Sequence, residues 1–431
     1  MKKIVNEILK EEVYYEKLEN GLDVYFMPKA GFTKKYAVLA TNYGSNELEF
    51  VPIGETEKIR VNEGIAHFLE HKMFEQPDGG NAFDKFSAFG ASANAFTNFT
   101  ITAYLFTATE NFYDALEHLI DYVQTPYFTD ENVEKEKGII EQEIKMYNDD
   151  PDWNVYFNCL KALYVNYPVR EDIAGTVESI YKITKEELYK CYNTFYNPGN
   201  MALFVVGDLD YDKVIESVKK VNHNDVEKLN NEIEKFYPKE PDTVNQKEIV
   251  AKFPISMPSF NIAFKDNNVG IKGNELLRKE IVTEILIDMI FKRGSKLYED
   301  MYMKGLINDN FGGGFSSQID YGFTILGGES KNPREVQKVI LEYIEKYKTE
   351  GLSKEEFERT KRKKIGNFLK YFDSVNFIAN NFISYKFKDI NLLDYLEVIK
   401  DVKFEEVTTR LKDHLKEEYC VISIVEPSKT V

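Results

Sequence analysis

Two periods of hydrophobic patterning divide the chain into strands and helices. Alternating or continuous apolar runs at residues 22–26, 36–41 and 201–206, and an apolar-polar strand pair over 93–106, predict β-strands. Between them, apolar residues recurring every three to four positions predict helices over 61–75, 110–123, 130–147, 153–164 and 185–196. The turn Asn197-Pro198-Gly199-Asn200 precedes the 201–206 strand, which ends in Gly207-Asp208 and closes a unit of ordinary domain size. A charged, weakly periodic stretch at 219–248 reads as a linker with short helical pieces. The pattern then restarts with a strand at 261–264, a helix at 274–291, strands around 322–328, further helices and a last apolar strand at 420–425. Both halves end in a helix, a polar turn and an apolar strand. The expected fold class is therefore α+β with an internal duplication: an N-terminal domain at 1–218, the linker at 219–248 and a homologous C-terminal domain at 249–431.

The helix predicted over 61–75 carries His67-Phe68-Leu69-Glu70-His71. Asn62 suits its N-cap, Glu63 its first turn, and Ile65, Phe68, Leu69 and Met73 form an apolar stripe. Residues four apart stand one helical turn above each other, so His67 and His71 can reach one metal ion through imidazole nitrogens at about 2.0 to 2.1 Å. Glu70 faces the same point. A carboxylate there can take a proton from a water whose pKa a metal ion lowers towards about 7. The order H-x-x-E-H is the inverse of the commoner H-E-x-x-H. The alternative is a surface helix bearing these residues by chance, an uncommon event in a chain of 431 residues with 5 histidines. His118, His223 and His414 are isolated in polar helical contexts and read as structural or solvated.

Composition narrows the function classes. At 43% hydrophobic residues the chain can bury a large core. With 55 Lys and Arg against 72 Asp and Glu, the formal charge is -17, which disfavours a nucleic-acid partner because phosphate binding needs concentrated positive charge. The basic cluster Lys361-Arg362-Lys363-Lys364 falls in a helical pattern and reads as a solvated face. No apolar stretch of about 18 residues occurs, and the N-terminus turns acidic before any apolar segment, so a membrane partner is not expected and a cytoplasmic location is. Cys159, Cys191 and Cys420 are far apart and read as reduced core thiols.

Two histidines do not hold a catalytic zinc ion; a third protein ligand is required. The 130–147 helix offers Glu134, Glu136, Glu141 and Glu143. Glu136 and Glu143, seven apart, share one face, with Ile139, Ile140 and Ile144 as apolar packing. One of the two can bind the metal while the other hydrogen-bonds a ligand. Each glutamate taken alone reads more readily as a solvated helix face.

The H-x-x-E-H helix, followed by Glu136-Lys137-Gly138-Ile139-Ile140-Glu141-Gln142-Glu143, resembles the pitrilysin, insulin-degrading enzyme and mitochondrial processing peptidase family of inverzincin zinc peptidases. Residues 64–78, 90–105, 134–153 and 172–208 are similar to the bacterial YmfH-type proteins within it. The resemblance implies that His67, His71 and Glu143 bind Zn²⁺, that Glu70 is the general base, and that Glu136 supports the site by hydrogen bonding a ligand. It also implies that Gly90 to Thr97 forms an edge strand beside the metal, where Ala93, Asn94, Ala95 and Phe96 pair with an extended peptide and place its scissile carbonyl. Read without the family, that segment is simply a strand of small residues. The implied architecture is two homologous α+β domains, each a mostly antiparallel sheet with helices on one side, forming a half-bowl of a peptidase chamber, with the metal only in the first.

One departure stands out. Active members carry an Arg, and a Tyr seven positions later, in the second half; here Met301 or Tyr302 and Asn308 or Asp309 occupy those places. Some bacterial members work as heterodimers in which a metal-less partner contributes the pair. The expectation is thus a zinc-dependent endopeptidase subunit that hydrolyses short or extended peptides by metal-activated water, in a heterodimer with a homologous metal-less subunit or in a homodimer. The alternative is a non-catalytic or partner-dependent peptide-binding or assembly subunit.

Overall fold

The run Met201–Gly207 is buried at every position, as a strand can be only where both faces are covered. The computed structural model, which describes residues 2–222 and 232–428, places it inside a sheet; His223 lies outside the described residues. In chain order the first elements are β1 (Lys2–Asn6), β2 (Glu11–Lys17), β3 (Asp23–Pro28), β4 (Lys35–Thr41), the short β5 (Glu49–Phe50) and β6 (Ile59–Arg60), α1 (Ile65–Lys72), α2 (Ala82–Ala88), β7 (Ser92–Thr97) and β8 (Thr102–Ala108). They are followed by α3 (Phe112–Val123), α4 (Asp130–Asn148), α5 (Pro151–Leu163), α6 (Val177–Ile180), α7 (Lys185–Phe195), β9 (Met201–Gly207), α8 (Tyr211–Val221) and β10 (Lys235–Phe236). The rest comprises β11 (Glu248–Phe253), β12 (Ser259–Lys265), α9 (Gly273–Phe291), α10 (Lys296–Met303), β13 (Gly312–Ser317), β14 (Gly322–Glu329), α11 (Pro333–Glu350), α12 (Lys354–Tyr371), α13 (Val375–Lys386), α14 (Tyr395–Asp401), α15 (Phe404–His414) and β15 (Cys420–Pro427).

Two compact units result: Met1–Ile144 with Asp172–Tyr237 and Tyr371–Phe387, and Lys145–Glu171 with Pro238–Lys370 and Lys388–Val431. In the first, a seven-stranded sheet runs β1-β2-β3-β9-β4-β8-β7, antiparallel except where β3 lies parallel to β9. In the second, a five-stranded sheet runs β11-β15-β12-β14-β13, antiparallel except where β11 lies parallel to β15. The five strands β3-β9-β4-β8-β7 and the five of the second sheet thus share one order and one set of directions, the topological mark of a repeated α+β unit.

The units depart from the contiguous domains expected from the sequence in two places. Helix α5, at 151–163, packs on β12 and β15 of the second unit, while α13 packs on β4 and β9 of the first. Each follows the long helix after the strand hairpin of its half, so the repeat exchanges the same helix in both directions. The 219–248 stretch also contains more than helical pieces, since β10 pairs with β5 and β11 begins at Glu248. The hairpin of β1 and β2 was not legible because its alternation is weak and β1 is largely exposed.

The first core lies on one face of the seven-stranded sheet. Val24, Phe26, Ala37, Leu39, Tyr104, Phe106, Leu203 and Val205 pack there with Phe68 and Leu69 of α1, Leu116 and Leu119 of α3, Ile140 of α4 and Leu188 of α7. The opposite face receives α13, whose Phe382 ring lies 4.4 Å from that of Phe204 and 4.9 Å from that of Tyr25. Helix α1 is shorter than its apolar stripe suggests. Asn62 does not cap it, because its amide donates to Glu187 at 3.0 Å; the N-cap is Gly64, at φ 87°. A Cβ on Gly64 would lie 2.4 Å from the Ala174 carbonyl oxygen, and one on Gly175 2.5 Å from that of Glu63, so two glycines let the backbones cross at the entry to α1.

The second unit buries a charge cluster in place of some apolar packing. Asp266, just past β12, accepts from Nη1 of Arg410 at 3.0 Å and lies 3.1 Å from Nζ of Lys279, while Arg410 Nε donates to Thr283 at 2.8 Å. Nε2 of His414 meets the Thr324 hydroxyl at 2.7 Å, and burial, with the Arg410 charge nearby, lowers its pKa to about 3. Removing Asp266 strands two buried cations, so Asp266→Ala is expected to cost about 3 to 5 kcal/mol at pH 7 in urea unfolding. Between pH about 6.5, where an unfolded histidine titrates, and about 3, unfolding takes up a proton at His414. Stability contributed there is therefore lost as pH falls, at about 1.4 kcal/mol per unit, and His414→Gln is expected to flatten that part of the pH profile.

Candidate metal centre

Helix α1 turns Ile65, Phe68 and Leu69 into the core, and that orientation leaves His67, Glu70 and His71 on its other side. Helix α4 is held by Val133, Ile140 and Ile144, and presents Glu136 and Glu143. Nε2 of His67 lies 3.7 Å from Oε1 of Glu143, and Nε2 of His71 lies 3.5 Å from Oε2. Both separations exceed a hydrogen bond, so the three groups face a common gap rather than each other. Two ligands of a tetrahedral ion at about 2.0 to 2.1 Å stand roughly 3.3 to 3.4 Å apart, so the gap accommodates zinc with little adjustment. Two imidazoles and one carboxylate also match the donor set of hydrolytic zinc sites. Among the described residues, His67, His71 and Glu143 are the group of this kind that could hold a metal ion.

Protonation states suit that role. Nδ1 of His71 lies 3.1 Å from Oε1 of Glu136. An ionised carboxylate only accepts, so Nδ1 carries a proton, and in the neutral ring that metal ligation requires Nε2 turns its lone pair towards the gap. Burial opposes ionisation of Glu136, but the bond and charge of His71, with Lys72 and Lys135, hold its pKa below the usual range. Burial likewise opposes a charge on His71, yet Glu136, Glu143 and Glu70 outweigh it and raise the pKa, so a metal ion held in the gap would displace a proton from Nε2. His67 is driven down to about 3 by burial and by His71, which keeps it neutral, as metal ligation requires. Its Nδ1 is buried, and its ring packs edge-on against that of His71, with centroids 4.5 Å apart.

Glu70 is 7% exposed, and its Oε2 accepts from the Thr97 hydroxyl at 2.6 Å. Burial raises its proton affinity, Thr97 and His71 oppose this, and Glu143 adds to it; the net shift is upward. Thr97 ends β7, the edge strand of the sheet, on which Asn94 and Phe96 are exposed and Ala93 and Ala95 half-buried. The amide of Ala95 donates to Oδ1 of Asn94 at 2.9 Å. The other two candidate glutamates of α4 are engaged elsewhere, Glu134 with Lys137 and Glu141 with Tyr181. His118 and His414 are buried structural groups, the former bonded to the Ala82 carbonyl. In the second unit, Met301 is core, Tyr302 is exposed, Asn308 donates to Glu329 and Asp309 pairs with Arg293, so no arginine stands at 301 or 302 and no tyrosine at 308 or 309.

Two contributors escaped the sequence reading. Thr97 was read only as the end of a strand, and its contact with Glu70 spans 27 positions that no local pattern connects. Lys72, directly after His71, is wholly buried and pairs with Glu75 and with Glu136. Its place between His71 and the apolar pair Met73-Phe74 was the available signal.

Known proteins resemble this chain in sequence and in fold. Residues 50–177 match the family described as Insulinase (Peptidase family M16), and residues 182–364 that described as Peptidase M16 inactive domain. A relative in Bacillus subtilis, named an uncharacterized zinc protease YmfH, is 44% identical over 427 residues, covering 99% of both chains. The zinc protease PqqE of Helicobacter pylori is 25% identical over 95% of this chain and 92% of its own. Among solved structures, an M16-like peptidase from Alicyclobacillus acidocaldarius is similar at TM-score 0.91 and 37% identity, over 97% of this chain and 99% of that one. A Helicobacter pylori protease shares the fold at TM-score 0.83 and 20% identity, over 97% and 100%.

If the gap takes a metal, chelator-treated protein is expected to bind zinc and to gain about 2.7 kcal/mol of stability at a zinc concentration 100-fold above the dissociation constant. Thermal melting with and without zinc measures this. His67→Ala, His71→Ala and Glu143→Ala should each lose the gain.

Proposed function

The chain belongs to the insulinase family, peptidase family M16, and from that premise we propose that it is a zinc-dependent endopeptidase subunit hydrolysing short or extended peptides. The observation that carries this reading is the shared gap of His67, His71 and Glu143, with Glu70 alongside and pinned by Thr97. In this reading His67, His71 and Glu143 are the ligands, Glu70 is the general base and Glu136 fixes the tautomer of His71. Zinc held there would polarise the scissile carbonyl and make water nucleophilic near neutral pH.

The chain's own groups do the rest. Glu70 takes the proton of the attacking water and returns it to the leaving amine. Thr97 occupies Oε2 of Glu70, leaving Oε1 for that transfer. The open edge of β7 receives the peptide as an added strand through Ala93 to Phe96, with Asn94 turning its amide off the Ala95 N–H so that a peptide carbonyl takes its place. Zinc uptake and melting are expected to be unchanged in Glu70→Gln, while kcat falls by at least about 10²-fold. Peptide cleavage under zinc saturation measures this; activity within a few-fold of the starting protein would remove Glu70 from its role.

A second reading is supported by residues 182–364, whose family is described as an inactive domain and whose positions 301, 302, 308 and 309 offer no Arg–Tyr pair. The chain then works only beside a homologous metal-less subunit that supplies those donors, or binds peptide without cutting it. Loss of one such donor costs about 10² to 10³ in kcat, so the isolated chain is expected to be slow and to gain at least about 10²-fold on mixing with that partner. Full activity of the purified chain, shown monomeric by sedimentation, would exclude the dependence.

A further inference from the structure

Lys72 is the most demanding side chain near the site: its exposure is 0%, and it follows a candidate ligand directly. A buried ammonium costs several kcal/mol unless its surroundings compensate it, and a methionine or leucine would fill the same space without that cost. The compensation is specific. Lys72 closes α1, where a helix C-terminus favours a cation, and it pairs with Glu75 just beyond the helix. Its Nζ also lies 3.7 Å from Oε2 of Glu136, while the other oxygen of that carboxylate holds Nδ1 of His71 at 3.1 Å. Glu136 therefore faces adjacent residues of α1, hydrogen-bonded to His71 through one oxygen and at ion-pair distance from Lys72 through the other, and couples the helix that carries both histidines to the helix that carries Glu143.

We propose that Lys72 is a positioning residue for the metal site: its ammonium anchors one oxygen of Glu136 so that the other stays on His71 and keeps the Nε2 of that ring aimed at the gap. This rests on the zinc-site reading above and extends it by one layer. Without Lys72, Oε2 of Glu136 loses its cation, the carboxylate is free to rotate about its terminal bond, and the aim of His71 loosens. Glu75 does not reach the ring and serves Lys72 alone, completing the neutralisation of a charge that would otherwise be half-compensated.

The test is zinc affinity, measured by chelator competition on the full chain for Lys72→Met, Glu136→Gln and the double variant, with thermal melting of the metal-free forms as a control. Partners of metal ligands typically contribute 10- to 100-fold, so Lys72→Met is expected to weaken zinc by about tenfold. The double variant is expected to bind within about threefold of Glu136→Gln alone, because the lysine acts through that carboxylate. A purely structural lysine would instead give losses that multiply, and that result overturns the proposal, as does Lys72→Met binding zinc like the starting protein. Where Lys72→Met fails to fold, Lys72→Gln is read in its place; if neither neutral variant keeps the melting transition, the role is structural and the proposal falls. A starting protein that binds no zinc defeats the site reading itself, whereas tight zinc binding untouched by Lys72→Met defeats only this inference.

Discussion

The contact of His71 with Glu136 is the constraint around which the first unit is organised. It joins two helices that approach from different parts of the chain, and it does so at the one point where both have turned their polar sides inward. Apolar residues could not do this. Ile65, Phe68 and Leu69 hold α1 against the sheet, and Ile140 and Ile144 hold α4, but packing of this kind tolerates small slides and rotations that would close or widen a gap of 3.5 to 3.7 Å. A directional bond from a fixed ring nitrogen to a fixed oxygen removes that freedom. The crossing of Gly64 and Gly175 does the same at the start of α1, where backbones approach too closely for any side chain.

The repeat explains why the second unit has the scaffold and not the chemistry. Its five strands follow the order and directions of the corresponding strands in the first sheet, and α9 follows β12 as α1 follows β4 once the short strands are passed. Yet α9 is apolar nearly all round, with Leu276, Leu277, Ile281, Ile285, Leu286 and Ile290 buried, and contains no histidine. Its polar interior is an ion cluster in which the single carboxylate of Asp266 sits between Arg410 and Lys279. Such a cluster is closed upon itself. The gap in the first unit differs because its nitrogen and oxygen atoms stand beyond bonding range and remain available.

How far the sequence reveals this depends on whether a feature is local. Period and length alone locate α4 to within a residue at its end, and likewise β9 and α9, because each carries an unbroken pattern. The spacing His67, Glu70, His71 and the pair Glu136, Glu143 are legible for the same reason, since a helix converts fixed spacing into a shared face. What stayed hidden depends on contacts between distant segments. Asn62 is a good capping residue, but Glu187 takes its amide, and the cap falls to Gly64. The exchange of α5 and α13 leaves no local trace, because each helix has an apolar face that would serve either sheet.

Thr97 gives β7 a second part in the proposed chemistry. Its hydroxyl holds Oε2 of Glu70 from the end of the same strand whose open edge would take the peptide. Thr97 stands two positions beyond Ala95 along a strand of fixed rise, so the distance from the paired peptide to the base is set by the backbone and not by flexible side chains. Burial pulls Glu70 towards the protonated form and the Thr97 hydroxyl pulls it back, which leaves a carboxylate able both to accept and to return a proton. On this reading a peptide that shifts β7 also shifts the donor on Glu70. Orientation of the base and alignment of the substrate are then one mechanical event, and a ligand that fails to add as a strand leaves the base misaligned.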